Sequence, residues 1–158
     1  MGSACFTGHR NIKEPVANLR RRLKRCILSA VNNYYVTEFY VGGAMGFDML
    51  AALVVLKIMN TLEIHLHIIL PCSFNEYTSK WSDKDKKMLL ELTNKATSVK
   101  VFSEHYYDGC MKIRNQHLVD AADALCICYY NPNDKRSGTG QTVRMAERKG
   151  LIIKNLYK

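Results

Sequence analysis

Short apolar runs that stop at glycine or proline alternate along the chain with stretches of helical spacing. Ala4 to Thr7 closes on Gly8 and gives way after Pro15 to Val16 to Tyr35, where Leu19, Leu23, Ile27 and Val31 recur at the interval of one helix face. Glu38 to Val41 is β-branched and aromatic and stops at Gly42-Gly43; Phe47 to Met59 is then apolar almost all round, as in a buried helix. Glu63 to Leu70 ends at Pro71, Ser82 to Ala96 reads as a more polar helix, and Val99 to Phe102 as a fourth strand. Lys112 to Ala122 is a predicted helix, Ala124 to Tyr130 a strand, Thr142 to Lys149 a helix and Leu151 to Leu156 a last strand. Parallel strands need crossover helices that bury each side of the sheet, so near-continuous apolar strands separated by helices specify a Rossmann-like α/β fold. The expected form is a three-layer sandwich, a mainly parallel sheet with helices on both faces. Ligands in such sheets collect beyond the carboxyl ends of the strands, at the topological switch point.

The 158 residues fit one domain, 1–158, because a second would leave each half a marginal core. With 47% hydrophobic and 23% charged residues, the composition is that of a globular protein. The longest apolar stretches, Leu50 to Leu56 and Ile64 to Pro71, fall well short of the roughly 20 residues of a membrane span. The first residues lack a basic segment and a long apolar one, which makes cytoplasmic residence the expectation, with no membrane partner. The six cysteines form no Cys-x-x-Cys pairs, and Cys126 and Cys128 fall on one face of a strand, where thiols pack as small apolar groups. Nothing in the chain specifies a metal or a resident cofactor.

Three glycine-bearing segments each follow a strand. Thr7-Gly8-His9-Arg10 turns tightly and presents a cation. Gly42-Gly43-Ala44-Met45-Gly46-Phe47-Asp48 lies between a strand and a helix N-terminus, where free amide hydrogens and the helix dipole attract phosphate, and Asp48 either caps the helix or meets a ribose hydroxyl. Arg136-Ser137-Gly138-Thr139-Gly140-Gln141-Thr142 opens another helix with small hydroxylated residues suited to phosphate oxygens. No segment has the spacing of a P-loop, which excludes a P-loop triphosphatase. Arg114-Asn115 sit on the helix before the fifth strand. His9 is either a general acid or base or a ligand contact, with no carboxylate beside it in sequence. His65 and His67 share a face of a predicted central strand, and Trp81, the single tryptophan, is expected to pack. The net charge of +9 favours anionic partners, and much of the excess sits in Arg20-Arg21-Arg22-Leu23-Lys24-Arg25, either a solvated helix face or a polyanion contact.

Cys5-Phe6-Thr7-Gly8-His9-Arg10, the Gly42 to Asp48 segment, Gly109-Cys110-Met111 with Arg114-Asn115, Val119-Asp120-Ala121-Ala122-Asp123, and Ser137-Gly138-Thr139 with Thr142 and Ala146 resemble the SLOG superfamily, most closely its YpsA-like branch. The resemblance implies a Rossmann-like domain that binds a nucleotide or nucleotide-derived ligand, often as a homodimer or larger. It is also similar to the Lonely Guy phosphoribohydrolases, whose Met-x-x-Arg-Lys helix Met111-x-x-Arg114-Asn115 resembles, so that Arg114 is the candidate catalytic arginine. Their glutamate position falls on Thr142, which lacks a carboxylate; Glu147 lies further along. Arg114-Asn115 and Ser137-Gly138-Thr139 with Thr142 follow the pattern of the DNA-processing protein A family, which binds single-stranded DNA.

These readings converge on a cleft for a nucleotide-like small molecule, serving a sensor or carrier. Its contacts are expected from Thr7, Gly8, His9, Arg10, Gly42, Gly43, Ala44, Gly46, Asp48, Arg114, Asn115, Ser137, Gly138, Thr139 and Thr142. An N-glycoside hydrolase and a single-stranded nucleic-acid binder remain the alternatives.

Overall fold

The protein is described from a computed structural model covering residues 2–158. Its strands are β1 (Gly2–Gly8), β2 (Val36–Val41), β3 (His65–Leu70), β4 (Ser98–Val101), β5 (Leu125–Tyr129) and β6 (Ile152–Asn155). Between them run α1 (Val16–Tyr34), α2 (Phe47–Ile58), the single turn α3 (Phe74–Tyr77), α4 (Asp83–Lys95), α5 (Cys110–Ala121) and α6 (Gly138–Lys149). The strands form one sheet in the order β4-β3-β2-β1-β5-β6, and every pairing is parallel. This is the Rossmann-like sandwich that the apolar patterning specifies. The chain winds outward from β1 to β4 and then returns to β5 on the other side of β1, so the switch point lies between β1 and β5.

Successive strand residues point to opposite faces, and each face has its own core. Phe6, Phe39, Leu66 and Ile127 meet Leu19, Leu23 and Ile27 of α1, Phe47 of α2, and Leu89 and Leu92 of α4. Cys5, Cys126 and Cys128 meet Leu118 and Val119 of α5 and Val143 and Ala146 of α6. All six cysteines are free thiols. Hydrogen bonding to Cys128 and Cys5, with burial added, pushes the Cys126 thiol well above its ordinary value, which keeps it protonated and unreactive.

Two helices cover the second face where three cover the first, and the difference leaves part of β2 and β3 open. There the Glu38 carboxylate lies between His65 Nδ1 and His67 Nε2, each at 2.9 Å. These histidines therefore sit one strand in from the sheet edge, His65 more exposed than His67 and both paired with a carboxylate, rather than in a central core. Two other elements differ from the sequence reading. α3 is a four-residue turn capped by the Ser73 hydroxyl, too short for any period to announce. α6 starts at Gly138 and not at Thr142, because the Ser137 hydroxyl accepts the Gly140 N–H (3.0 Å) and carries the two glycines into the helix. Among the described residues no helix is long and apolar enough to cross a membrane.

Candidate functional site

Beyond the carboxyl ends of β1 and β5 lies a cleft of about 290 Å³. The turn after β1 supplies Thr7, Gly8, His9 and Arg10, the segment leading into α2 supplies Ala44 and Asp48, and α6 begins it on the far side with Ser137, Gly138 and Thr139. α5 closes the wall with Met111, Arg114, Asn115 and Leu118. Those four recur at the i, i+3, i+4 and i+7 positions of one helix face, so helical spacing alone groups Met111 and Leu118 with the arginine and asparagine the motifs single out.

The turns are locked to one another by close backbone approach. A β-carbon on Gly8 would stand 2.4 Å from the Phe47 ring, so only glycine lets α2 pack against the end of β1. Gly46 has φ +80°, and a β-carbon there would meet the Arg10 carbonyl oxygen at 2.2 Å. The Phe47 N–H then donates to the His9 carbonyl (3.3 Å). The second glycine segment thus seats the first. Gly42, Gly43 and Gly46 do not line the cleft: Gly43 is buried against Leu70 and Leu89, and the Gly42 carbonyl accepts a hydrogen bond from Arg114 Nη1.

Arg114 is only 4% exposed. Besides Gly42, its Nη1 reaches the Ile69 carbonyl (3.5 Å), Nε donates to Asn115 Oδ1 (2.9 Å), and the guanidinium lies 5.9 Å from the Tyr77 ring centre. It ties α5 to the ends of β2 and β3 while presenting part of its charge to the cleft. Arg10 is the opposite case, an exposed cation whose side chain has no hydrogen-bond partner among the described residues, standing where the cleft meets two neighbouring cavities.

Asp48 carries the strongest electrostatic perturbation in the cleft. Its side chain is 5% exposed; Oδ2 accepts the Ala44 N–H at 3.3 Å, and Oδ1 has no partner. Burial pushes its pKa from 3.8 up to about 6, with the Arg114 guanidinium pulling the other way. His9 is not a free base: its Nε2 accepts the Asn131 N–H (2.9 Å), which places its proton on Nδ1, 3.9 Å from Asp134. The sequence shows no carboxylate beside His9; the fold brings one in from the loop after β5. Burial lowers the His9 pKa, and Asp134 only partly opposes this.

At the start of α6, Ser137 caps Gly140, and Gly138 and Thr139, whose N–H groups precede the first intrahelical bond, line the cleft. Thr142 does not reach the cleft. It is fully buried, and its hydroxyl donates to the Gly138 carbonyl (2.9 Å) within the helix. Glu147 is exposed near the other end of α6 and contributes no carboxylate here. The basic run on α1 is divided: Leu23 enters the core and Arg22 forms a bidentate pair with Glu14 (2.5 and 2.7 Å) and donates to the Leu156 carbonyl, leaving Arg20, Arg21, Lys24 and Arg25 in solvent.

The model of the YspA SLOG family matches residues 6–156, which takes in every turn described above. The chain belongs to the YspA SLOG family. It is also similar to a UPF0398 protein of Halalkalibacterium halodurans, 23% identical over 136 residues that make up 85% of this chain and 70% of that protein. The family match spans both sides of the switch point, so the cleft and the larger cavity that shares Arg10 and Met111 with it lie within the matched region. Family membership points to nucleotide-related chemistry.

Proposed function

We propose that the cleft binds a nucleoside phosphate as a sensor or carrier, with the phosphate held by Arg10 and the Gly138 and Thr139 amides and the ribose hydroxyls turned towards Asp48. The observation that carries this reading is the unpartnered, buried Oδ1 of Asp48 beside a cavity that also contains a free cation and a helix N-terminus. A buried carboxylate oxygen without a donor costs stability, and a ribose hydroxyl is the kind of donor that offsets it. Anions are favoured at the opposite wall by the α6 amides and dipole.

Isothermal titration with adenosine 5′-monophosphate, inorganic phosphate and a short oligonucleotide tests it. The monophosphate should bind, Arg10→Ala should weaken it by roughly tenfold or more, as for a lost charge-assisted hydrogen bond, and Asp48→Asn should remove the advantage of the nucleotide over phosphate. Binding of the oligonucleotide alone, falling steeply with salt, would replace this reading with the nucleic-acid one.

Asp48 also favours a second reading. A carboxyl group with a pKa near 6 beside a ribose has the proton affinity of a general acid or base in N-glycoside cleavage. Release of free base from the monophosphate, abolished by Asp48→Asn, would establish it.

A further inference from the structure

A larger cavity of about 710 Å³ opens beside the cleft, within the size range of small-molecule sites, and shares Arg10 and Met111 with it. Its walls are more apolar. Tyr77, Trp81 and Tyr106 line it together with the thioethers of Met45 and Met111. We propose that this cavity is the nucleobase subsite of the same ligand, taking a purine or pyrimidine ring against Trp81 and Tyr106 while the phosphate occupies the cleft beyond Arg10. The assignment rests on the nucleotide reading of the cleft.

Three independent features point to a ligand there. Tyr77 is 9% exposed, and its hydroxyl has no hydrogen-bond partner, as expected for a buried donor waiting for an acceptor such as a base carbonyl or ring nitrogen. Tyr106 is 54% exposed and stacks on no other aromatic ring among the described residues, yet its backbone is held: Glu76 accepts the Tyr106 N–H through one oxygen and meets His105 Nδ1 at 2.7 Å through the other. The Ser73 N–H adds a bond to the Glu104 carbonyl (3.3 Å). A loop is thereby ordered around a ring that is more than half exposed. Finally, Trp81 tilts against Tyr77 at 5.1 Å between ring centres, so the cavity offers it as a supported face and not a free side chain. Aromatic faces of this kind stack on bases without requiring a particular sequence of hydrogen bonds.

Trp81 is the single tryptophan, so its fluorescence reports on this cavity alone. Adenosine 5′-monophosphate and ribose 5-phosphate, which differ only by the base, are titrated against the wild type, Tyr106→Ala and Trp81→Phe. Adenosine monophosphate is expected to bind about 10- to 100-fold more tightly than ribose 5-phosphate and to quench Trp81, whereas the sugar phosphate leaves the emission unchanged. Tyr106→Ala, an exposed site whose loss leaves the fold intact, should remove about tenfold of that preference and leave ribose 5-phosphate affinity as it was. Equal affinities for the two ligands, or a Tyr106→Ala loss shared equally by both, overturn the base subsite while leaving the phosphate cleft standing. If neither ligand binds, the nucleotide reading falls and takes the subsite with it.

Discussion

Replacing Asp48 with Asn separates what the carboxylate does for a ligand from what it does to the fold. The side chain is buried, one oxygen lacks a donor, and its pKa stands near 6 instead of 3.8. The protonated form is therefore favoured in the folded chain relative to the unfolded one. Stability is lost as the pH rises from about 4 through 6, where the unfolded state has already released the proton and the folded state must follow. At about 1.4 kcal/mol per pKa unit the cost at neutral pH is on the order of 3 kcal/mol. Asparagine keeps the shape and the acceptor for the Ala44 N–H and carries no charge at any pH. Asp48→Asn should thus be more stable than the wild type at pH 7 by roughly 3 kcal/mol, a rise in Tm on the order of 8 °C for a chain of this size. The advantage should vanish below about pH 4, where both side chains are neutral. Urea unfolding of both proteins across that range reads the difference directly. A variant that is less stable at pH 7, or whose difference from the wild type does not change with pH, would refute the reasoning and make the carboxylate a structural partner of Arg114.

Arg114→Ala should cost about 2–4 kcal/mol in urea unfolding, because it strands the buried Gly42 and Ile69 carbonyls, so loss of ligand binding in that variant does not by itself identify a ligand contact. Gly46→Ala should destabilise by about 2 kcal/mol or more and displace the turn at Arg10, visible as lost amide-exchange protection at His9 and Phe47; a neutral Tm would show that the φ and the approach to the Arg10 carbonyl are easily relieved. Glu76→Gln should leave Tm nearly unchanged while exposing residues 103–107 to limited proteolysis, since both ties from that side chain hold the loop and not the core. An unchanged cleavage rate would mean the loop is ordered by something else.

The sheet was legible because its central strands β1 and β5 are buried on both faces and its helices are long enough to show their period. The three glycine turns were legible as well, since each interrupts a strong apolar run. What the glycines do was not. Gly42 and Gly46 sit in a segment patterned like an anion loop, yet their lack of a side chain serves Arg114 and the Arg10 carbonyl, contacts made between distant parts of the chain. Arg114 reads as a free cation and proves largely committed to backbone carbonyls. Thr142 reads as part of a hydroxyl-rich turn, but Ser137 starts the helix early and buries it. Asp134 beside His9 and Tyr77 beside Trp81 depend on loop placement, about which local pattern says little.

The aromatic cavity is walled largely by segments that the strand-helix frame does not require: the turn α3 and the loop around Tyr106, joined through Glu76. The phosphate-side cleft, by contrast, is fixed by backbone approaches at Gly8 and Gly46 that tolerate almost no side chain. Divergent copies of such a chain are therefore free to lengthen, shorten or recompose one wall without refolding the other. Changes of ligand should accumulate at residues 74–81 and 103–107 while the turns at the switch point stay as they are, so two proteins with the same sheet and the same glycines need not share a ligand.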